Sequence, residues 1–196
     1  MDIVFDFDGV IADSFDLALA TVQMSMPSMT SESYRAMFNG NINDAKPKEK
    51  VVRQIDFFEE FSKKFLTLGM TLEVKETLLS ISNDNRLFII SSSTNALIEE
   101  YLKRHGVLDC FSSILGVDIE KSKVKKFKML FADFEVDPEA LIFVTDTSGD
   151  IREAKTAGVK NTFGILGGYQ DESIILEAEP TGILRSFNNI KGIFDK

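Results

Sequence analysis

The second half of the sequence alternates short apolar runs with amphipathic stretches, and this alternation restricts the fold more than any other feature. Four apolar runs predict strands, at residues 87–90, 113–115, 140–144 and 161–165. Apolar residues at helical spacing predict helices at residues 95–104, 123–134 and 151–157. Strands that alternate with helices form parallel pairs joined by right-handed crossovers, so we expect an α/β sheet covered by helices on both faces.

The first half of the sequence has a different pattern. An apolar run at residues 3–7 predicts a first strand. Helical, polar patterns follow, and the helices expected from them lie at residues 15–24, 33–38, 48–53, 55–68 and 72–81. The first strand can join the sheet only if this helical block is an insertion that bulges out of it.

These patterns together predict a Rossmann-like parallel sheet core with a small all-helical cap inserted after the first strand. The core is expected to comprise residues 1–13 and 83–196, and the cap residues 14–82. The segment after Tyr169 is predicted to be helical.

Composition excludes several classes of function. The formal net charge of −9 argues against a nucleic-acid partner, because phosphate neutralisation requires surplus Lys and Arg. No apolar run approaches the roughly 20 residues that span a bilayer, so no membrane partner is expected. The single cysteine, Cys110, allows no internal disulfide and favours the cytoplasm. Separately, we expect a monomer or a weak homodimer. The single histidine, His105, stands at a predicted helix end, so hydrolases with a histidine base are disfavoured.

Polar side chains follow three of the predicted strands. In a parallel sheet, ligands bind at the carboxyl ends of the strands. The residues expected at those ends are Asp6, Asp8, Ser91, Ser92, Ser93, Thr145 and Asp146, with Asp150 at the start of the next helix. The intervening sequence supplies positive charge, in Lys121, Lys123, Lys125, Lys126 and Lys128. Asp6 and Asp146 would repel one another on neighbouring strands unless a cation lies between them. Because hard oxygen donors favour Mg²⁺, this ion is the expected cofactor.

Four segments in this order resemble the motifs of the haloacid dehalogenase superfamily: "DFDGV" from residue 6, the serine that closes the strand in "LFIISSSTN", a lysine in "KSKVKKFKML", and "FVTDTSGDIREAKTAGV". The helical block lies where the type I cap of that superfamily is inserted. Within the superfamily, the chain looks most like the phosphoglycolate phosphatase-like and beta-phosphoglucomutase-like hydrolases. The resemblance covers the whole chain and implies a phosphoric monoester hydrolase.

The resemblance also implies catalytic roles. Asp6 would attack phosphorus to form an aspartyl-phosphate, and Asp8 would protonate the leaving oxygen and then activate water. Ser91 and the backbone N–H of Ser92 would bind phosphoryl oxygens, although the run of serines leaves this register open by one residue. Dehalogenases lack an acid/base at the position of Asp8, so its presence favours phosphate esters over halides.

The lysine and the metal ligands follow from the same resemblance. Lys121 fits the spacing of members with a Lys-Pro motif, whereas Lys123 fits a shorter variant in which the lysine starts its helix; we favour Lys123. The lysine would neutralise the phosphoryl group and hold the nucleophile. The expected metal-binding residues are Asp6, Asp8 through its carbonyl, Asp146 and Asp150.

The cap contains one unusual polar segment, "FNGNIND", at residues 38–44. Asn39 and Asn41 could present their amides to a substrate in the cleft. Asn and Gly are also turn formers, so a simple turn between helices explains the segment equally well.

The functional prediction is a Mg²⁺-dependent phosphatase that acts on a small phosphorylated metabolite through an aspartyl-phosphate. A phosphomutase on the same scaffold is the alternative, since it would return the phosphoryl group to a second hydroxyl. A receiver-like phospho-accepting protein is disfavoured by the paired aspartates and the large insert. A non-catalytic protein of this fold is disfavoured because no motif residue is missing.

Overall fold

Six parallel strands form a single sheet in the computed structural model, which describes residues 1–193. The strands are β1 (Asp2–Phe5), β2 (Arg86–Ile90), β3 (Phe111–Leu115), β4 (Ile142–Thr145), β5 (Asn161–Ile165) and β6 (Gly182–Leu184). Their order across the sheet is β3-β2-β1-β4-β5-β6, so β1 lies at the centre and pairs with both β2 and β4. The predicted α/β architecture is therefore confirmed.

Eight α-helices accompany the sheet within the described residues: α1 (Phe15–Ser25), α2 (Ser31–Ala36), α3 (Phe57–Phe65), α4 (Leu72–Ile81), α5 (Asn95–His105), α6 (Lys123–Phe134), α7 (Ser148–Ala157) and α8 (Glu172–Leu176). Short 3₁₀ segments include Met37–Asn39, Ile42–Asp44 and Phe187–Ile193. Gly106 and Gly158 end α5 and α7 in the left-handed conformation, which glycine adopts without steric cost. No helix among residues 1–193 has the length and apolar character needed to cross a membrane.

The two faces of the sheet bury different clusters. On one face, Val4, Phe88 and Phe143 pack with Phe127 of α6 and Ala154 of α7. On the other face, alternate residues of the same strands belong to a larger cluster that includes α5 and the segment 187–193. The alternation of side chains along each strand divides the core in this way.

The helical block between β1 and β2 shares the larger cluster with the sheet. Phe61 and Phe65 of α3 and Leu78 of α4 belong to the same buried cluster as Ile3 and Phe5 of β1. Residues 14–82 form no strand in the structure, as predicted. The division into a core and a cap at residues 14 and 82 remains a prediction, because the hydrophobic cluster is continuous across both limits.

Two predictions of secondary structure are wrong. Residues 48–53 are not helical; Val51 and Val52 are 50% and 71% exposed, so a helix there would bury no apolar face to offset its nucleation cost. The segment after Tyr169 is not simply helical, because β6 lies between α8 and the final 3₁₀ segment. Ile183 pairs with Gly164 at the edge of the sheet, a long-range contact that local helical propensity does not reveal. The prediction for residues 194–196 lies outside the described residues.

Candidate active site

The predicted site residues lie at the carboxyl end of the central strands. Asp6 and Asp146 directly follow β1 and β4, which are neighbours at the point where the strand order reverses. Open α/β sheets bind ligands at this point. A cavity of about 220 Å³ opens there, and Asp6, Asp8, Lys123, Asp146 and Asp150 all contribute to its wall.

A buried ion pair network holds the first aspartate. Lys123 Nζ lies 2.9 Å from Asp6 Oδ2 and 2.6 Å from Asp150 Oδ2. The hydroxyl of Thr145 also donates to Asp150 Oδ2, at 3.0 Å. Lys123 is 3% exposed, which identifies it rather than Lys121 as the lysine that reaches the strand ends. Helix α6 begins at Lys123, with Ser122 as its N-cap, and this start directs the lysine inward.

Burial and charge act on this network in opposite directions. Burial raises the pKa of Asp6, and the Lys123 ammonium partly offsets that increase. Burial alone would raise the pKa of Asp150 as well, but Lys123 and the hydrogen bonds to this carboxylate lower it overall. Burial alone would lower the pKa of Lys123, and the charges of Asp150 and Asp6 raise it instead. The lysine is therefore cationic at neutral pH, and Asp150 is its ionised partner.

Asp8 has a separate set of hydrogen-bond partners. The hydroxyls of Ser14 and Ser93 donate to its two carboxylate oxygens, each at 2.7 Å. Ser14 Oγ also lies 3.1 Å from the hydroxyl of Tyr169. Burial raises the pKa of Asp8, and the two serine hydrogen bonds oppose the increase. A carboxyl group with a raised pKa and reversible hydroxyl partners is suited to hold and release a proton.

Asp146 is completely buried, and only one of its two carboxylate oxygens has a hydrogen-bond partner among the described residues. The Tyr169 backbone N–H donates to its Oδ2 at 2.6 Å, while its Oδ1 has no hydrogen-bond partner among the described residues. Burial raises the pKa of Asp146 to about 7. The backbone of Gly9 crosses closely over this carboxylate with a φ of +75°, and a side chain there would collide with Asp146 and Tyr169.

The donor set fits a bound Mg²⁺. An orphaned buried carboxylate oxygen is costly unless a cation or donor occupies the space beside it. Asp6, Asp8, Asp146 and Asp150 place four carboxyl groups around the single paired cation Lys123 in the cavity wall. Among residues 1–193, no three acidic, histidine or cysteine side chains converge on one point, so a site built from side chains alone is not formed. Two carboxylates and a backbone carbonyl, completed by water and phosphate oxygens, agree with the usual coordination of Mg²⁺.

The three serines that follow β2 differ in their exposure to the cavity. Ser91 still pairs with the neighbouring strand, its N–H donating to Leu115 O at 3.1 Å, and its Oγ accepts from the Ser93 N–H at 3.0 Å. Ser92 and Ser93 line the cavity, whereas Ser91 is fully buried. The carbonyl of Ser91 accepts from Lys126 Nζ, at 2.5 Å.

Asn39 and Asn41 contact the core rather than the cavity. Asn39 Oδ1 accepts from Gln170 Nε2 at 2.8 Å, and Asn41 Nδ2 donates to Glu153 Oε1 at 3.0 Å. Neither residue lines the cavity, although the adjacent Asn43 does. Their predicted role in substrate binding remains a prediction, and the structure supplies an alternative in which they fasten the cap to the core.

Sequence analysis gave no specific role to three residues that the structure places at the site. Lys126 is fully buried, and burial together with the charge of Lys123 lowers its pKa to about 8. The signal was available, since positions 123, 126, 127 and 130 form the buried stripe of α6. Tyr169 follows the end of β5, where the rule of strand ends would have pointed to it. Ser93 was expected only at a strand end, and no local signal shows that its hydroxyl reaches Asp8.

A comparison with known families decides the classification. Residues 3–163 match the model of the haloacid dehalogenase-like hydrolases, which is most of the chain. The chain belongs to the haloacid dehalogenase-like hydrolase family. This membership, with curated relatives that are phosphatases, confirms the prediction of a phosphoric monoester hydrolase.

Individual relatives agree with this family. The chain is 26% identical to a phosphoglycolate phosphatase from Vibrio vulnificus, over 91% of this chain and 89% of that protein. A haloacid dehalogenase-like hydrolase from Streptococcus pneumoniae has the same fold, with a TM-score of 0.79 and 17% identity over 98% of this chain and 97% of the other. CbbY from Rhodobacter sphaeroides, solved with phosphate, gives a TM-score of 0.74 at 18% identity over 96% and 95% of the two chains.

Proposed function

We propose that this protein is a Mg²⁺-dependent phosphatase that hydrolyses a small phosphorylated metabolite through a phosphoryl group carried by Asp6. The observation that carries the proposal is the position of Asp6 at the end of the central strand, with Lys123 Nζ 2.9 Å from its carboxylate. Asp8 lies two residues further on in the same cavity. A nucleophile, a cation and an acid/base in one cavity are the components that phosphoryl transfer requires.

The residues divide the reaction into two steps. Asp6 attacks phosphorus, the bond from phosphorus to the alcohol oxygen breaks, and Asp8 gives its proton to the departing alcohol. Asp8 then takes a proton from water, whose oxygen attacks phosphorus and releases Asp6. Lys123 compensates the negative charge of the phosphoryl group, and Ser92, which lines the same cavity, donates its backbone N–H to a phosphoryl oxygen.

The proposed ligands of the metal are the carboxylates of Asp6 and Asp146 and the carbonyl of Asp8. Bound Mg²⁺ would supply a further positive charge against the phosphoryl oxygens. Asp150 has one oxygen committed to Lys123 and Thr145, so we assign it to positioning the lysine as well as to the edge of the metal site.

The setting follows from composition. The net charge of −9 and the single cysteine support a cytoplasmic enzyme with a small-molecule substrate, and we propose a monomer or a weak homodimer.

Hydrolysis of p-nitrophenyl phosphate by the purified protein, with Mg²⁺ and with excess chelator, tests the proposal. We expect free phosphate to appear only with Mg²⁺, and we expect a rapidly quenched sample to carry phosphate covalently on Asp6. Asp146→Asn should remove the dependence of both the rate and the melting temperature on Mg²⁺. A protein that is inert under every condition would contradict the proposal. Incubation with glucose 1-phosphate distinguishes the mutase, which would yield an isomeric phosphate in place of free phosphate.

A further inference from the structure

The cavity beside the proposed nucleophile has an apolar wall on the cap side. The side chains that the cap contributes are almost all aliphatic or aromatic: Ala18, Val22, Tyr34, Met37, Phe38, Ile42, Phe57, Phe58 and Phe61. Asn43 is the only amide in that wall among the described residues. The part of the cavity that faces away from the aspartates therefore offers hydrophobic contact and few polar partners.

Helix α3 supplies a continuous aromatic surface within this wall. The rings of Phe57 and Phe61 are stacked, with centroids 5.2 Å apart and planes inclined by 17°. Phe58 is 41% exposed although it lines the cavity, so a ligand could cover apolar surface that the protein leaves uncovered. Burying such surface is favourable in proportion to its area.

Positive charge is absent from the same wall. Among residues 1–193, Lys123 is the only cation that lines the cavity, and it is paired with Asp6 and Asp150. Two arginines near the cap are occupied elsewhere: Arg35 donates to the carbonyls of Gly168 and Tyr169, and Arg152 to the carbonyl of Asn39. Lys46 and Lys48 line a different depression.

A carboxylate on the alcohol part of a substrate would therefore be buried without a counter-charge. It would also lie in a cavity that already contains four aspartates. Burying an ion without a partner is strongly unfavourable. The cavity selects against such substrates by charge and in favour of apolar ones by contact.

We propose that the site takes phosphate monoesters of uncharged, largely apolar alcohols. It discriminates against esters such as phosphoglycolate, in which the esterified alcohol carries a carboxylate. The inference rests on the proposed function. In the reaction, the phosphorus–oxygen bond to the apolar alcohol breaks, Asp8 protonates that oxygen, and water supplies the oxygen that phosphate retains. The apolar body of the alcohol lies against Phe57, Phe58 and Phe61.

Three primary alkyl phosphates test the inference: 2-phenylethyl phosphate, glycerol 3-phosphate and 2-phosphoglycolate. Because the leaving group of all three esters is a primary alcohol, differences in kcat/KM report recognition by the cavity. We expect 2-phenylethyl phosphate to exceed phosphoglycolate by at least ~30-fold, with glycerol 3-phosphate between them.

Variants locate the preference in the cap wall. Phe58→Ala should lower kcat/KM for 2-phenylethyl phosphate by roughly 5- to 10-fold. Leu79→Ala, which removes a similarly exposed side chain (43%) from α4 outside the cavity, is the control and should leave it unchanged. Met37→Arg places a cation in the wall and should raise kcat/KM for phosphoglycolate by about 10-fold.

The outcomes separate the two proposals. Equal rates for the three esters, or a preference for phosphoglycolate, would overturn the apolar specificity and leave the phosphatase assignment intact. Failure to hydrolyse any of the esters, and acetyl phosphate as well, would overturn both.

Discussion

The half of the cavity formed by the core and the half formed by the cap differ in charge and polarity. The core half contains Asp6, Asp8, Asp146 and Asp150 with Lys123, and hydrogen bonds or ion pairs of 2.6 to 3.0 Å hold the Asp6, Asp8 and Asp150 carboxylates. The cap half is aromatic and aliphatic. Lysine and hydroxyl partners fix the carboxylates of the core half, whereas the side chains of the cap half are held mainly by packing.

This difference assigns the two halves different tasks. Fixed charges stabilise a phosphoryl transfer that is the same for every ester, so changes in the core half should alter the rate for all substrates. Apolar contact senses the alcohol, so changes in the cap half should alter the preference among substrates. The predictions below test this separation, beginning with the largest expected effect.

Removal of the proposed nucleophile should have the largest effect. Asp6→Asn keeps the shape of the side chain but cannot form the aspartyl-phosphate, so we expect kcat/KM to fall by at least ~10³ for every ester. Because burial raises the pKa of Asp6, loss of its charge should not lower the melting temperature measured without Mg²⁺. A variant with selective losses, or with none, would contradict the separation of tasks.

Replacement of the proposed acid/base, Asp8, should affect the steps of the reaction that need a proton transfer and spare those that do not. Asp8→Asn keeps one acceptor oxygen and offers an amide N–H to the second serine hydroxyl, but it cannot act as an acid or a base. Steady-state turnover of alkyl phosphates should therefore fall by ~10² or more. Acetyl phosphate needs no proton on its leaving group. It should still label Asp6 in a burst of about one equivalent, detected by rapid quench, and full turnover with this substrate would refute the role of Asp8.

The buried Lys126 should make stability depend on pH. Its folded pKa of about 8 lies below the ~10.4 of an exposed lysine, so the unfolded chain binds more protons between these values. The wild type should therefore gain about 2 kcal/mol of unfolding free energy relative to Lys126→Met as pH rises from 8 to 10. Lys125→Met, which alters an exposed lysine of the same helix, is the control and should show no such trend in urea denaturation.

The smallest effect is expected at the contact between cap and core. Asn39→Ala removes the hydrogen bond to Gln170 and should cost about 1 kcal/mol of stability. If Asn39 only fastens the cap, KM for 2-phenylethyl phosphate should change less than twofold. A larger increase in KM without loss of stability would restore the predicted role in substrate binding.

Much of the core half could be predicted from the sequence because most of its polar residues stand close to a strand in the sequence. Asp6, Asp8 and Asp146 follow hydrophobic strands, and the parallel arrangement brings the ends of those strands together. Asp6, Asp8 and Asp146 lie at the predicted edge of the sheet, and Lys123, which the family resemblance favoured, lines the same cavity. Their catalytic roles remain predictions. The sixth strand escaped prediction because its pairing with β5 depends on contacts that are distant along the chain.

The cap half was less predictable for a physical reason. Phe57, Phe58 and Phe61 would be interpreted from sequence as an ordinary apolar helix face, since cavity lining and core packing use the same residues. The amides of Asn39 and Asn41 suggested ligand contacts, and the structure directs them to Gln170 and Glu153 instead. Hydrogen-bond partners across an interface have no signature in either segment alone.

Phe7 lies between the two paired aspartates, and its position has a consequence for the order in which the enzyme matures. Its ring packs against Phe65 of α3 and Tyr101 of α5, with centroids 5.6 and 5.5 Å away. Asp6 and Asp8 are thus translated before helices α3 and α5, although their geometry depends on packing against those helices. We infer that competence for catalysis is acquired at the end of folding, so nascent or truncated chains carry the aspartates without their activity.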